Sequence, residues 1–267
     1  MPVEVLNPRT YGPVGSCIYC GSTSDLRLEH ILPNGLSLSG SASAKLPKSS
    51  CRDCAKITSR MERTVLRGPM WPARVYRDLK SYRNHKDAPK TYRLTVVRKS
   101  NKEEVAQLPV EDYPILLPFP IFPAPAFLNP NGYTSGICVT GLVTLSFGPR
   151  PEDVAKRLGV RELRLTRSLQ PICFALMLAK IAYAFAAAED KLRLIEGEAT
   201  VLPAILGSTD DIGKWVGTLT EPFRSYDGQL HRILVTQDRE KGLLMGEVQL
   251  FSDSQAPSYG VILGRLR

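Results

Sequence analysis

The sequence predicts an α+β protein in two parts: a small N-terminal unit marked by paired cysteines, and a mostly antiparallel-sheet domain built on one long buried helix. Three observations carry this. Four of the six cysteines form two Cys-x-x-Cys pairs near the N-terminus. The run from Pro171 to Glu189 is apolar on nearly every face, the mark of a helix covered on all sides. The last 40 residues alternate apolar runs with polar turns, as antiparallel strands do. A chain of 267 residues, 43% hydrophobic and 23% charged, can bury a sizeable core, which excludes disordered, collagen-like and disulfide-scaffold classes.

In chain order, Met1 to Gly15 shows neither the basic nor the apolar region of a secretory signal, so a reducing, cytoplasmic setting without structural disulfides is expected. The pairs Cys17-Ile-Tyr-Cys20 and Cys51-Arg-Asp-Cys54 follow, separated by 30 residues. In such a setting two pairs at this distance have the spacing of a tetrahedral four-cysteine zinc site, each pair offering two thiolates from one turn. The metal would also hold together a unit too small for a core of its own.

Between the pairs lies Leu26-Arg27-Leu28-Glu29-His30-Ile31-Leu32-Pro33. From Cys17 to about Arg67 the order and spacing of these features resemble the HNH endonucleases of the zinc-bound type, which carry a ββα-metal finger. The resemblance implies that Cys17, Cys20, Cys51 and Cys54 hold a structural zinc, that His30 is the general base activating water, and that Glu29 is a ligand of a catalytic Mg-like cation. Elementary chemistry agrees, since phosphodiester hydrolysis needs an activated water and a charge-relieved leaving oxygen, which a neutral imidazole and a divalent cation supply. Adjacent residues on a strand face opposite sides. Glu29 and His30 can therefore serve one site only where the strand ends or bulges, and Pro33 with Asn34-Gly35 supplies an interruption.

Two departures from the family pattern stand out. Ala44-Lys45-Leu46-Pro47-Lys48 occupies the region before the second pair, and Ala55 follows Cys54; neither offers a ligand to the catalytic cation. On a helix starting near Cys54, Ser59 and Glu62 fall near the face of Ala55. Glu62 is thus a candidate cation ligand, or a surface carboxylate paired with nearby arginines.

Charge is concentrated next to this unit. Between Lys45 and Lys102 there are 17 basic residues against four acids, net +13 in a chain whose total is +9, so the remainder is net −4. Lys56, Arg60, Arg63 and Arg67 would line one face of the helix and Ile57, Met61 and Val65 another. Trp71, Tyr76, Tyr82 and Tyr92 alternate with Arg74, Arg77, Lys80, Arg83 and Arg93, a mixture suited to phosphate contacts with base stacking. Nucleic acid, DNA ahead of RNA, is the expected partner, with Lys56, Arg60, Arg63, Arg67, Arg74 and Arg77 as candidate contacts.

Further on, Pro109, Pro114, Pro118, Pro120, Pro123, Pro125 and Pro130 exclude a helix or central strand and read as a linker or surface strap. Ile137 to Phe147 and Arg161 to Arg167 suit strands, with a short helix from Pro151 to Leu158 between them. The strands Leu230 to Thr236, Leu243 to Phe251 and Tyr259 to Leu263 close the chain. Ile172 to Ala188 could be mistaken for a membrane span, but its Lys180 and its alanine content favour a buried helix, and no membrane partner is expected. Lys180 is open to three readings: a snorkelling side chain, a partner for a buried acid, or a contact to another molecule. Cys138 and Cys173, in apolar runs, read as small buried hydrophobes, His231 as structural, and His85 as solvated or phosphate-contacting.

The organisation expected is a zinc-finger nuclease unit with its basic extension over residues 1–90, a strand pair and proline-rich linker over 91–135, and an α+β domain over 136–267 that could bind a protein partner or a second copy. The function expected is a metal-dependent HNH-type endonuclease; the alternative is a catalytically degenerate zinc finger that binds nucleic acid or acts as an adaptor.

Overall fold

The structure, a computed structural model, describes residues 3–80, 90–129, 132, 135–164, 169–197, 201–219, 224–226 and 228–267. Tyr82, Arg83, His85, Pro130 and the end of the run from Arg161 to Arg167 lie outside these residues.

The fold is α+β with antiparallel sheets. Its N-terminal strand β1 (Val3–Val5) runs far from its neighbours in sequence. A hairpin of β2 (Arg27–His30) and β3 (Lys45–Ser50) leads directly into α1 (Arg52–Arg67), giving strand, strand, helix in the region of the cysteine pairs. The short α2 (Trp71–Tyr76) follows, then the hairpin β4 (Thr91–Val97) and β5 (Glu103–Pro109). The chain continues through β6 (Ile115–Ile121), β7 (Gly141–Phe147), α3 (Pro151–Leu158) and β8 (Glu162–Arg164), the last pairing back onto β4. The helix α4 (Pro171–Ala188) precedes the two single-turn helices α5 (Leu202–Ile205) and α6 (Ile212–Trp215) and the strands β9 (Val216–Thr218), β10 (His231–Asp238), β11 (Leu243–Leu250) and β12 (Ser258–Arg265). The main sheet has the order β1-β10-β11-β12-β9, so the first strand of the chain completes the sheet formed by its last third.

The helix α4 explains the architecture. Twelve of its residues, from Phe174 to Ala186, are buried because it is packed on the main sheet on one side and on α1 on the other. A helix with two covered faces needs apolar residues all round, and this one has them. Length and composition alone would let it span a membrane, yet two thirds of it is buried inside the protein. It approaches the sheet tightly at Gly246, where a Cβ would lie 2.5 Å from the Ala182 methyl. Only glycine fits there.

The proline-dense run is not a linker. Residues 115–121 form β6, paired with β7 over its whole length, and Ile115, Leu117, Phe119 and Phe122 are buried. Pro118 and Pro120 are two residues apart, so both missing N–H groups fall on the same edge of the strand, and β7 is the sole partner of β6 among the described residues. Proline on the edge not paired with β7 leaves the ladder intact. Phe119 packs edge-to-face and Phe122 tilted against Phe174 of α4, and the Tyr259 hydroxyl donates to the Pro120 carbonyl at 2.8 Å. The strand β7 begins at Gly141, four residues later than its β-branched composition suggests.

The buried face of α1 also differs from the expected one. Cys54, Thr58, Met61 and Val65 face inward, whereas Ile57 is 39% exposed. One buried cluster runs from Cys17 through α1 and α4 to Leu263, without a break near residues 90 or 135.

Candidate metal centre and the buried lysine

The first cysteine pair sits on a tight turn. The Gly21 N–H donates to the Cys17 carbonyl at 2.8 Å, and Gly21 has φ +73°, a conformation that favours glycine. The second pair sits at a helix start: Cys51 is the N-cap of α1 and Cys54 lies in its first turn. The four sulfurs all lie within 4.8 Å of one another, and the Cys20 and Cys51 Sγ atoms are 3.6 Å apart. A tetrahedral zinc with bonds of about 2.3 Å separates its sulfurs by roughly 3.8 Å, so the cluster is compatible with structural zinc. The backbone N–H of Cys54, pointing out of the helix start, pulls the Cys51 thiol down to about 7, while burial pushes the Cys54 thiol up.

Tyr19, between the first two cysteines, reaches inward. Its ring stacks on Tyr183 of α4 with centroids 5.7 Å apart, and the Tyr183 hydroxyl donates to the Ile18 carbonyl at 2.7 Å. The cysteine turn is therefore clamped to the long helix.

One turn earlier on the same helix lies Lys180, which is completely buried. Its ammonium is 2.6 Å from Glu29 Oε1 and 2.8 Å from Glu62 Oε1, and it also donates to the His30 carbonyl oxygen. The ammonium thus faces three oxygens from two other elements, β2 and α1. Burial alone lowers a lysine pKa, but the two carboxylates outweigh it and hold this one above its ordinary value. Lys180 is charged. Burial pushes the Glu62 carboxyl up despite the lysine beside it.

This arrangement assigns the sequence candidates to separate roles. Glu29 and Glu62, the two residues considered for a catalytic cation, do converge, as the departure at Ala55 required of any substitute. What they converge on is an ammonium. The bulge in the β2–β3 ladder falls between Arg27 and Glu29, ahead of the Glu-His pair rather than within it. Glu29 is accordingly buried, while His30, paired with Lys45 in the register, stays partly exposed. Burial and the positive charge of Lys180 keep the His30 imidazole below its ordinary pKa, against the opposing pull of Glu29; its Nδ1 is buried with no partner among the described residues. Ser59 donates to the Ala55 carbonyl at 2.5 Å on the exposed side of α1.

The basic residues divide into two groups. Lys56, Arg60, Arg63 and Arg67 are all exposed along α1, as the spacing suggests. Arg74 is not: it is buried, and its guanidinium donates to the carbonyls of Gly35 at 2.6 Å, Leu66 at 3.0 Å and Lys80 at 2.7 Å. Arg77 is half-buried, paired with Asp253 and set over the Phe147 ring. Arg74 and Arg77 hold the fold and are withdrawn from the candidate contacts. Cys138 is exposed rather than buried, and His231 is structural: Nε2 lies 2.8 Å from the Leu36 carbonyl, while Nδ1 accepts from the Phe251 N–H at 3.1 Å.

No protein-family model matches the chain, and no curated protein or solved structure is detectably similar to it.

Proposed function

We propose that this protein is a nucleic-acid-binding protein built on a zinc-stapled finger of HNH type, in which cleavage by a Glu29-held cation has been lost. The observation that supports this best is the position of Lys180. A fully buried lysine, held above its ordinary pKa by its carboxylate partners, lies between the two carboxylates suited to a divalent cation, and a cation cannot share that place without charge repulsion and loss of its ligands.

The residues fit a zinc ion at Cys17, Cys20, Cys51 and Cys54, with all four sulfurs in reach of one metal. When bound, the ion supplies a fixed joint between the turn after Gly15 and the start of α1, and no chemistry beyond that. The exposed row Lys56, Arg60, Arg63 and Arg67 then presents a line of positive charge about 16 Å long at 1.5 Å per residue. Phosphates of duplex DNA fit such a row, with affinity set by counterion release.

The test is duplex DNA binding measured against salt concentration, with RNA as a parallel arm. Replacing Arg60, Arg63 and Arg67 together by Gln should flatten the log–log salt slope by about two to three units, since each phosphate contact contributes about 0.9. A protein that binds neither DNA nor RNA at low salt, or a triple variant with unchanged slope, contradicts the proposal.

A further inference from the structure

From Tyr113 to Pro149 the chain contains no Asp, Glu, Lys, Arg or His, although 23% of all its residues are charged. This stretch supplies both strands of the β6–β7 sheet, and proline fixes how that sheet is bonded. Pro118 and Pro120 have no N–H to give, so they face Thr144 and Leu142 as non-hydrogen-bonded pairs, and the ladder uses the residues between them. The N–H and C=O groups of Leu142, Thr144 and Ser146 consequently point away from β6. On that side no described residue pairs with β7. All three side chains are exposed, and Leu142, at 57%, is the most exposed large apolar side chain among the described residues.

The other edge strands carry charge, proline or a cover, the usual guards against strand addition. Glu4 lies on β1, Arg27 on β2, Lys48 on β3, Glu103 on β5, Arg164 on β8, and the two prolines on β6. The short β9 is covered by the turn after Phe122, whose carbonyl accepts from the Thr218 N–H at 3.4 Å. Among the described residues, only β7 has a free edge with none of these.

The missing charge selects the occupant. In a two-fold antiparallel pairing each residue near the axis meets its own copy, so a charged residue there would face a like charge. A different partner could match a charged edge, whereas a second copy requires a neutral one. We propose that two copies of this chain associate through β7, with Thr144 beside Thr144 at the two-fold axis and Leu142 of one copy opposite Ser146 of the other. Each of these pairs then exchanges both of its backbone hydrogen bonds, and the pairing covers Leu142. A strand edge alone is smaller than a stable interface of about 800 Å2 per partner. Beside it, Thr144 borders an uncharged hollow of about 190 Å3 with Pro72, Leu116 and Pro118, which extends the available apolar surface. The interface uses neither the cysteine centre nor the basic row of α1, so it stands apart from the nucleic-acid reading.

The full chain, with its zinc content checked, is followed by sedimentation velocity over a concentration series, with backbone hydrogen exchange at both ends of the range. Wild type should pass from the 29.5 kDa chain to twice that mass, and the amides of Leu142, Thr144 and Ser146 should gain protection as it does. Thr144→Lys sets two ammonium groups against each other at the axis and should lose the dimer, as should Thr144→Glu. Mixed together, the two variants should restore it as a heterodimer. Thr144→Pro removes an N–H that β6 does not use, so it should abolish dimerisation with the fold kept. The proposal is overturned if wild type is monomeric at every concentration, if Thr144→Lys dimerises as wild type does, or if the Lys and Glu variants together stay monomeric while folded. In a monomeric wild type, lasting protection of those three amides would assign the edge to another segment of this chain. Should the Thr144 variants fail to fold, the concentration dependence of the same amides in wild type decides.

Discussion

The Lys180 ammonium lies 2.6 Å from the Glu29 carboxylate, and both side chains are buried. The pair joins the middle of the long helix to the end of β2, and Glu62 extends it to α1. Three elements that meet nowhere in sequence are thereby locked in one arrangement. Replacing such a cluster wholesale by neutral groups can be close to harmless, but removing one partner leaves an uncompensated buried charge.

Lys180→Met should therefore destabilise the protein by about 3–5 kcal/mol. Adding Glu29→Gln and Glu62→Gln should recover most of that loss. Chemical denaturation of the single and triple variants checks both statements, and a Lys180→Met protein as stable as wild type contradicts them.

The cysteine centre should behave as a joint shared by both halves of the chain. Cys51→Ser is expected to lose bound zinc and, because Tyr19 and Ile18 are held against Tyr183, to loosen the packing of α1 on α4 as well as the first 70 or so residues. Elemental analysis and near-UV circular dichroism report the two effects. One zinc per chain in both wild type and variant would refute the assignment.

His231 gives a pH dependence whose sign follows from its surroundings. Burial pushes its pKa down to about 4, and its Nδ1 accepts a backbone N–H, so the fold requires the neutral ring. The unfolded chain takes up a proton near pH 6.5. Between pH 6.5 and 4 the unfolded state binds more protons, so stability falls as pH falls through that window. At about 1.4 kcal/mol per unit the loss reaches roughly 3 kcal/mol. Denaturation of wild type and His231→Gln across pH 4–7 should show this component in wild type alone; equal profiles would disprove it.

Much of this fold was legible in the amino-acid pattern. The helices Pro151–Leu158 and Pro171–Ala188 and the three C-terminal strands follow from local periodicity and from proline and glycine at their ends. The four-cysteine cluster follows from spacing. Two features depended on distant parts of the chain and could not be read locally. The prolines of β6 are compatible with a strand only because a single edge is paired. Arg74 resembles its basic neighbours in sequence, yet three backbone carbonyls left open by the turns around Gly35, Leu66 and Lys80 claim it. Lys180 stood out as a lone charge in a wholly apolar helix, but snorkelling, a buried acid and a contact to another molecule were all compatible with that pattern. Nothing in its own segment indicated that the acids would be Glu29 and Glu62.

The most direct test of the account is a cleavage assay run alongside binding, on the same samples, with DNA and RNA and with Mg2+, Mn2+, Ni2+ and Ca2+ in turn. The account predicts that wild type binds nucleic acid and leaves it intact in every cation, and that His30→Ala binds as wild type does. Cation-dependent cleavage by wild type that His30→Ala abolishes would contradict it, and would establish His30 as the general base of a working nuclease.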